Sequence, residues 1–157
     1  MRVLKPLLIL AFLVLGSTVA AAHEYKVGDL EIVNPWARAP LKGTSVADGF
    51  FKIINHGTTP DRLLGITVEF AKSSQLHSMQ MNGDVMQMNE MKDGIEIPAG
   101  ATVELKPNAM HVMFMDVTQQ LAPDAMMDGV LTFEKAGKVN VKFMIEPAGT
   151  TQSMDMN

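Results

Sequence analysis

The chain has 157 residues, with 13 Lys and Arg against 17 Asp and Glu, 14 methionines and no cysteine. The missing thiols exclude disulfides, thiolate metal sites, thiol nucleophiles and a blue-copper centre, which requires a cysteine ligand. A net charge of −4 spread without a basic stripe leaves nothing to track phosphates, so nucleic acid is excluded as a partner.

In chain order, Met1, Arg2 and Lys5 make a short basic start, LLILAFLVLG an apolar run, and STVAAA a small-residue stretch. Together they read as a secretory signal peptide over residues 1–22, cut after Ala20 or Ala22. The run from Leu7 to Leu15 is short for a membrane span and no second hydrophobic segment follows. The expectation is an exported protein of a bacterial periplasm, with no membrane span once mature and no cysteine near the cut to carry a lipid. Loss of Arg2 and Lys5 leaves 11 basic residues against 17 acidic ones, a net charge near −6. Residues 23–147 form one domain large enough to bury a core. Residues 148–157, AGTTQSMDMN, read as a flexible methionine-containing tail.

Within the domain, apolar residues alternate in short runs separated by turn formers, the period of strands rather than helices. The runs are LEIVN (30), DGFFKIIN (48), LLGITVEF (63), QLHSMQM (75), DVMQMNEM (84), IEIP (95), TVELK (102), MHVMFMDV (110), GVLTFEK (129) and KVNVKFMIE (138). About nine or ten strands at such spacing imply an antiparallel sandwich or barrel.

Two stretches concentrate chemistry. In LHSMQMNGDVMQMNEM (76–91), Asn82-Gly83 is a hairpin signal for a two-residue turn. That turn predicts Met81 opposite Asp84, Met79 opposite Met86 and His77 opposite Met88. Alternation then places His77, Met79, Met86 and Met88 on one face and Ser78, Gln80 and Gln87 on the other. In AMHVMFMDV, His111, Met113 and Met115 share one side of a strand. Val112 and Phe114 share the other, which is expected to be core, with His111 near the strand's end.

Methionine commonly fills gaps in cores, and a lone histidine beside apolar residues is usually structural. Here eight methionines fall between positions 79 and 115, and each histidine has a methionine two residues on, His77 with Met79 and His111 with Met113. Thioether and imidazole without charge suit Cu(I), whereas Zn, Ca and Mg prefer harder or anionic donors and Cu(II) prefers nitrogen and oxygen. Thioethers also avoid the disulfide chemistry that disables thiolates in an oxidising compartment.

The chain resembles the periplasmic copper chaperones called PCu(A)C, whose signature is a histidine, a methionine after ten intervening residues, and His-x-Met about 22 residues beyond. The matching residues are His77, Met88, His111 and Met113. The likeness extends through NPWARAP, FFKIINHGTTPDRLLG and IEIPAGATVELKPNAMHVMFM. It implies a cupredoxin-like antiparallel β-sandwich that carries Cu(I) on two histidines and two methionines without catalysis. The implied recipient is a copper-accepting protein, an oxidase subunit or another copper chaperone, during assembly of the CuA centre of cytochrome c oxidase. Met79, Met81, Met86, Met91 and Met115 exceed the minimal signature and are expected to line the approach or act as alternative donors.

Other residues invite blander readings: Trp36 as a core anchor, His56 as a solvated turn residue, and Arg38, Asp61 and Arg62 as surface or loop-fixing charges. His23, at or near a processed N-terminus, and Met154 and Met156 in the tail offer places for a second ion, Cu(II) at the N-terminal nitrogens. An N-terminal His23 would also suit a copper-dependent oxygenase, and a sandwich using methionines as an adaptable contact surface would need no metal.

Overall fold

The computed structural model describes residues 23–151. The expected signal peptide and the tail methionines Met154 and Met156 lie outside the described residues. Among those described the chain is all-β, and no helix is long and apolar enough to cross a membrane.

Eleven strands follow one another: β1 (Glu24–Val27), β2 (Leu30–Arg38), β3 (Ala47–Asn55), β4 (Asp61–Val68), β5 (Ala71–Asn82), β6 (Val85–Glu90), β7 (Ile95–Ile97), β8 (Thr102–Leu105), β9 (His111–Val117), β10 (Met126–Phe133) and β11 (Gly137–Glu146). Each run expected from alternation is a strand, and β1 is an addition. The hydrogen-bonded path runs β6-β5-β9-β3-β2-β11-β10-β4-β7, with β1 on β2 and β8 on β3. Every pairing is antiparallel except β11 with β2.

The path wraps around one apolar core that includes Leu76, Val112, Phe114, Phe70 and Phe143. Phe114 sits at its centre, edge-on to Phe70 at 5.0 Å and to Phe143 at 5.6 Å between centroids. Its ring leans over Gly49 on β3, where an added Cβ would stand 2.5 Å from the Phe114 Cε2. Glycine is therefore required there by close packing, not by backbone conformation.

A bulge in β2 decides what the outer face carries. Asn34 takes a left-handed conformation (φ 47) and Pro35 lacks an N–H, so pairing with β3 breaks between Val33 and Trp36. The extra residue reverses the alternation. Ile32 points into the core before the break and Ala37 after it, so Trp36 and Arg38 turn outward opposite Phe50 and Asp48. Trp36 is buried on that face, 4.4 Å from Phe50 between centroids. It anchors a small outer cluster rather than the central core.

The loop-fixing expectation for Asp61 is met in detail. Its buried carboxylate accepts backbone N–H bonds from Arg62, Lys135 and Ala136, tying β4 to the β10–β11 turn. His56 is exposed, yet its Nε2 lies 2.6 Å from Glu31.

β4 and β5 are joined by a tight turn and then splay, leaving a groove of about 390 Å³ lined by Leu64–Val68 and Ala71–Ser74. The Ser74 hydroxyl bridges it by donating to the Ile66 carbonyl. No histidine or methionine lines this groove.

Candidate metal centre

The outer face of β5, β9 and β3 gathers the residues of interest. β5 pairs with β9 so that His77 opposes His111, Gln75 opposes Met113 and Ser73 opposes Met115. On the far side of β9, Met113 opposes Asp48 of β3. His77, His111 and Met113, from positions 34 residues apart at the closest approach of the two histidines, thus meet on one patch. The imidazole centroids are 5.7 Å apart and the planes tilt by 41°.

Each ring is oriented by a neighbour. His111, buried, donates its Nδ1–H to the Ala109 carbonyl at 3.0 Å, which leaves the Nε2 lone pair available. His77 donates its Nε2–H to Gln75 Oε1 at 2.9 Å, and its Nδ1 is buried without a hydrogen-bond partner. A buried acceptor nitrogen without a partner is costly unless something occupies it. A metal ion would do so, and the bonds to Ala109 and Gln75 are the kind that fix a ligating tautomer.

Burial lowers the His77 pKa below its ordinary value near 6.5, and the charge of a protonated His111 lowers it further; Glu90 and Asp48 oppose both effects. A neutral imidazole is the form that binds metal. Among the described residues no group of three His, Cys, Asp or Glu side chains is placed to hold a metal. Two imidazoles with thioethers at hand are a donor set that suits Cu(I) better than zinc or calcium.

The hairpin differs from expectation. Asn82 and Gly83 are not the turn centre; Gly83 and Asp84 are, with Asn82 paired to Val85. Gly83 has φ +63 at the first central position, the backbone that a Gly-X type II′ turn uses. The expected register would have set Met81 against Asp84. The observed one sets Met81 against Met86, Gln80 against Gln87 and Met79 against Met88, like facing like on these three rungs.

His77 consequently opposes Glu90, not Met88. The shift is by two positions, so the faces are unchanged: His77, Met79, Met81, Met86, Met88 and Glu90 share one. Met88 stands diagonal to His77, a separation of roughly 7–8 Å that a long side chain spans. Met113 is half-buried and Met88 is 43% exposed, so the patch opens toward the hairpin.

Sequence reasoning missed three polar neighbours. Gln75 orients His77, Glu90 faces it, and Asp48 flanks Met113 while accepting a 2.5 Å ion pair from Arg38. The Arg38 guanidinium in turn lies 5.0 Å over Phe50. Gln75, two residues before His77, was accessible through strand alternation; Asp48 depended on knowing that β3 adjoins β9.

Of the remaining residues, Met115 lies further along the same face of β9, and Met91 packs against the core after β6. His23 is exposed just before β1, its carbonyl accepting from Asn34 N–H. Among the described residues the imidazole pair in ring contact is His77 with His111. Beyond β11, Thr150 closes a turn onto Pro147 and its carbonyl accepts from Arg38.

Known proteins share this arrangement of strands. The copper-bound PCuAC domain from PmoF2 is 31% identical, with a TM-score of 0.68, covering 80% of this chain and 98% of that domain. The apo PmoF2 PCuAC domain is 30% identical, with a TM-score of 0.70, covering 83% and 100%. A protein of Leifsonia xyli subsp. xyli named "Putative lipoprotein Lxx21020" is 29% identical over 131 residues, 78% of each chain. The architecture is thus that of a cupredoxin-like β-sandwich. The family described as "Putative lipoprotein LpqE-like" matches residues 30–145, and the chain belongs to this LpqE-like family, with the fold of PCuAC copper-binding domains.

Proposed function

We propose that the protein is a copper metallochaperone of the cell envelope. Cu(I) is its cargo, held by His77, His111, Met113 and Met88, and handed on for assembly of the CuA centre of cytochrome c oxidase. The observation that carries this reading is the pairing of His77 with His111 across β5 and β9, each with one ring nitrogen free and Met113 beside them. Support comes from the copper-bound PCuAC domain at 31% identity and, for an exported location, from the relative named as a lipoprotein.

Four neutral donors leave the bound ion with its single positive charge, partly offset by Asp48 and Glu90 nearby. Exposed Met88 is the donor that an incoming acceptor ligand displaces first, and buried His111 is released last. Transfer is ligand exchange, with no bond made or broken in a substrate and no catalytic residue. His23, on which an N-terminal oxygenase site would depend, is exposed just before β1, and its carbonyl accepts from the Asn34 N–H.

The test has two steps. Protein purified from copper-supplemented cells is assayed for metal, where a contact module without metal would carry none. The Cu(I)-loaded protein is then mixed anaerobically with a metal-free soluble CuA domain, the two are separated, and copper is measured in each. Movement of copper to the acceptor is the expected result; retention by the donor contradicts the oxidase as recipient.

A further inference from the structure

The hairpin beyond His77 is a two-stranded arm. β9 begins at His111, opposite His77, so Ser78–Asn82 of β5 pair only with β6, and every residue of β6 is exposed. Such a ribbon gains little from packing. Its methionines are not core fillers: Met81 is 62% exposed, and Met86 and Met88 are each 43% exposed. Four thioethers in two directly opposed pairs, Met79 with Met88 and Met81 with Met86, crowd one face of a solvated arm that has no use for them as packing.

Directly opposed residues on an antiparallel pair have Cβ atoms about 4.5–5.5 Å apart, close enough for two flexible thioethers to meet on one ion. Met79, Met81 and Met86 occupy adjacent positions of the ladder and together offer three uncharged sulfurs. That is a sufficient donor set for Cu(I) or Ag(I) and a poor one for Cu(II) or zinc.

We propose that Met79, Met81 and Met86 form a second, all-thioether site for a monovalent d10 ion at the hairpin tip, with Met88 as the ligand shared between it and the histidine patch. The inference rests on the reading of His77 and His111 as the primary site. Met88 opposes Met79 on one rung and is diagonal to both Met81 and His77, so an ion moves along the arm by exchanging one sulfur at a time. Rungs of Met81/Met86, then Met79/Met88, then His77 with His111 form one continuous column of soft donors from solvent to the buried imidazole.

The experiment is a titration of full-length mature protein with Ag(I), a redox-stable stand-in for Cu(I). Methionine methyl and histidine ring signals are followed by NMR and stoichiometry by native mass spectrometry. The expected course is a first equivalent that shifts the His77 and His111 rings and a second that shifts the methyls of Met79, Met81 and Met86. The double variant Met81→Leu/Met86→Leu, both at exposed positions, should take up one ion only, still at the imidazoles. Saturation of the wild type at one equivalent on the imidazoles overturns the tip site and leaves the chaperone reading intact. So does a second equivalent that the double variant retains. Ag(I) that shifts the tip methyls but never the rings upholds the tip site and refutes the primary one.

Discussion

His77 stands directly across the β5–β9 ladder from His111, with one nitrogen of each ring hydrogen-bonded, His77 to Gln75 and His111 to Ala109. Replacing either ring by alanine should lower Cu(I) affinity by more than the roughly 10–100-fold that follows loss of a second-shell partner. Gln75→Ala should fall within that second-shell range. Competition with a chromophoric Cu(I) chelator under anaerobic conditions measures all three.

Met88→Leu should weaken Cu(I) binding while leaving the fold untouched. The side chain is 43% exposed on a two-stranded arm, where substitutions stay within about 0.5 kcal/mol of the parent. Urea unfolding of the apo protein and chelator competition are the paired measurements, and a stability loss comparable to a core truncation would contradict this placement.

The lowered pKa of His77 gives apo stability a definite pH dependence. Burial is the main cause, with repulsion from a protonated His111 second. Below its ordinary value near 6.5 the unfolded chain takes up this proton more readily than the folded one. Apo stability should therefore fall as pH drops from about 6.5 through the lower folded value, with no contribution from this group above that range. Protons should begin to compete with copper only at pH values lower than an ordinary histidine would allow. NMR titration of the two imidazoles gives the midpoint directly; a His77 midpoint above 6.5 would contradict the burial argument.

Asp61→Ala should destabilise the domain by about 2–3 kcal/mol, since it leaves three backbone donors, of Arg62, Lys135 and Ala136, without their charged acceptor. Desolvation, the largest single influence on this carboxyl, raises its pKa, but the three N–H bonds and nearby Lys135 outweigh it and hold the pKa below 3.8. Its stabilisation is complete above that value and is lost as pH falls through the depressed one. Copper affinity should not change, because this turn is remote in the ladder order from β5 and β9.

Most of the fold was legible from residue alternation, because the strands bury one side and turn formers separate them. β1 was not, since EYKV carries only two apolar residues and abuts the expected signal cleavage region. The hairpin register was misplaced because Asn82-Gly83-Asp84 contains two candidate two-residue turns. The turn that forms is centred on Gly83-Asp84, and its register places Met79 against Met88 and Met81 against Met86. The faces survived because the error was an even number of residues. The outward turn of Trp36 and Arg38 arises from the β2 bulge at Asn34-Pro35, a one-residue change of parity that periodicity does not reveal. Asp48 joins the patch only through the β3–β9 pairing, a non-local contact.

X-ray absorption at the copper edge, on mature protein loaded with a single equivalent of Cu(I), counts nitrogen and sulfur neighbours directly. Two nitrogen and two sulfur neighbours in the wild type, with one nitrogen fewer in His111→Ala, is the predicted result. A first shell made of oxygen and nitrogen alone, or one unchanged by removal of His111, would contradict the assignment of this patch as the copper site.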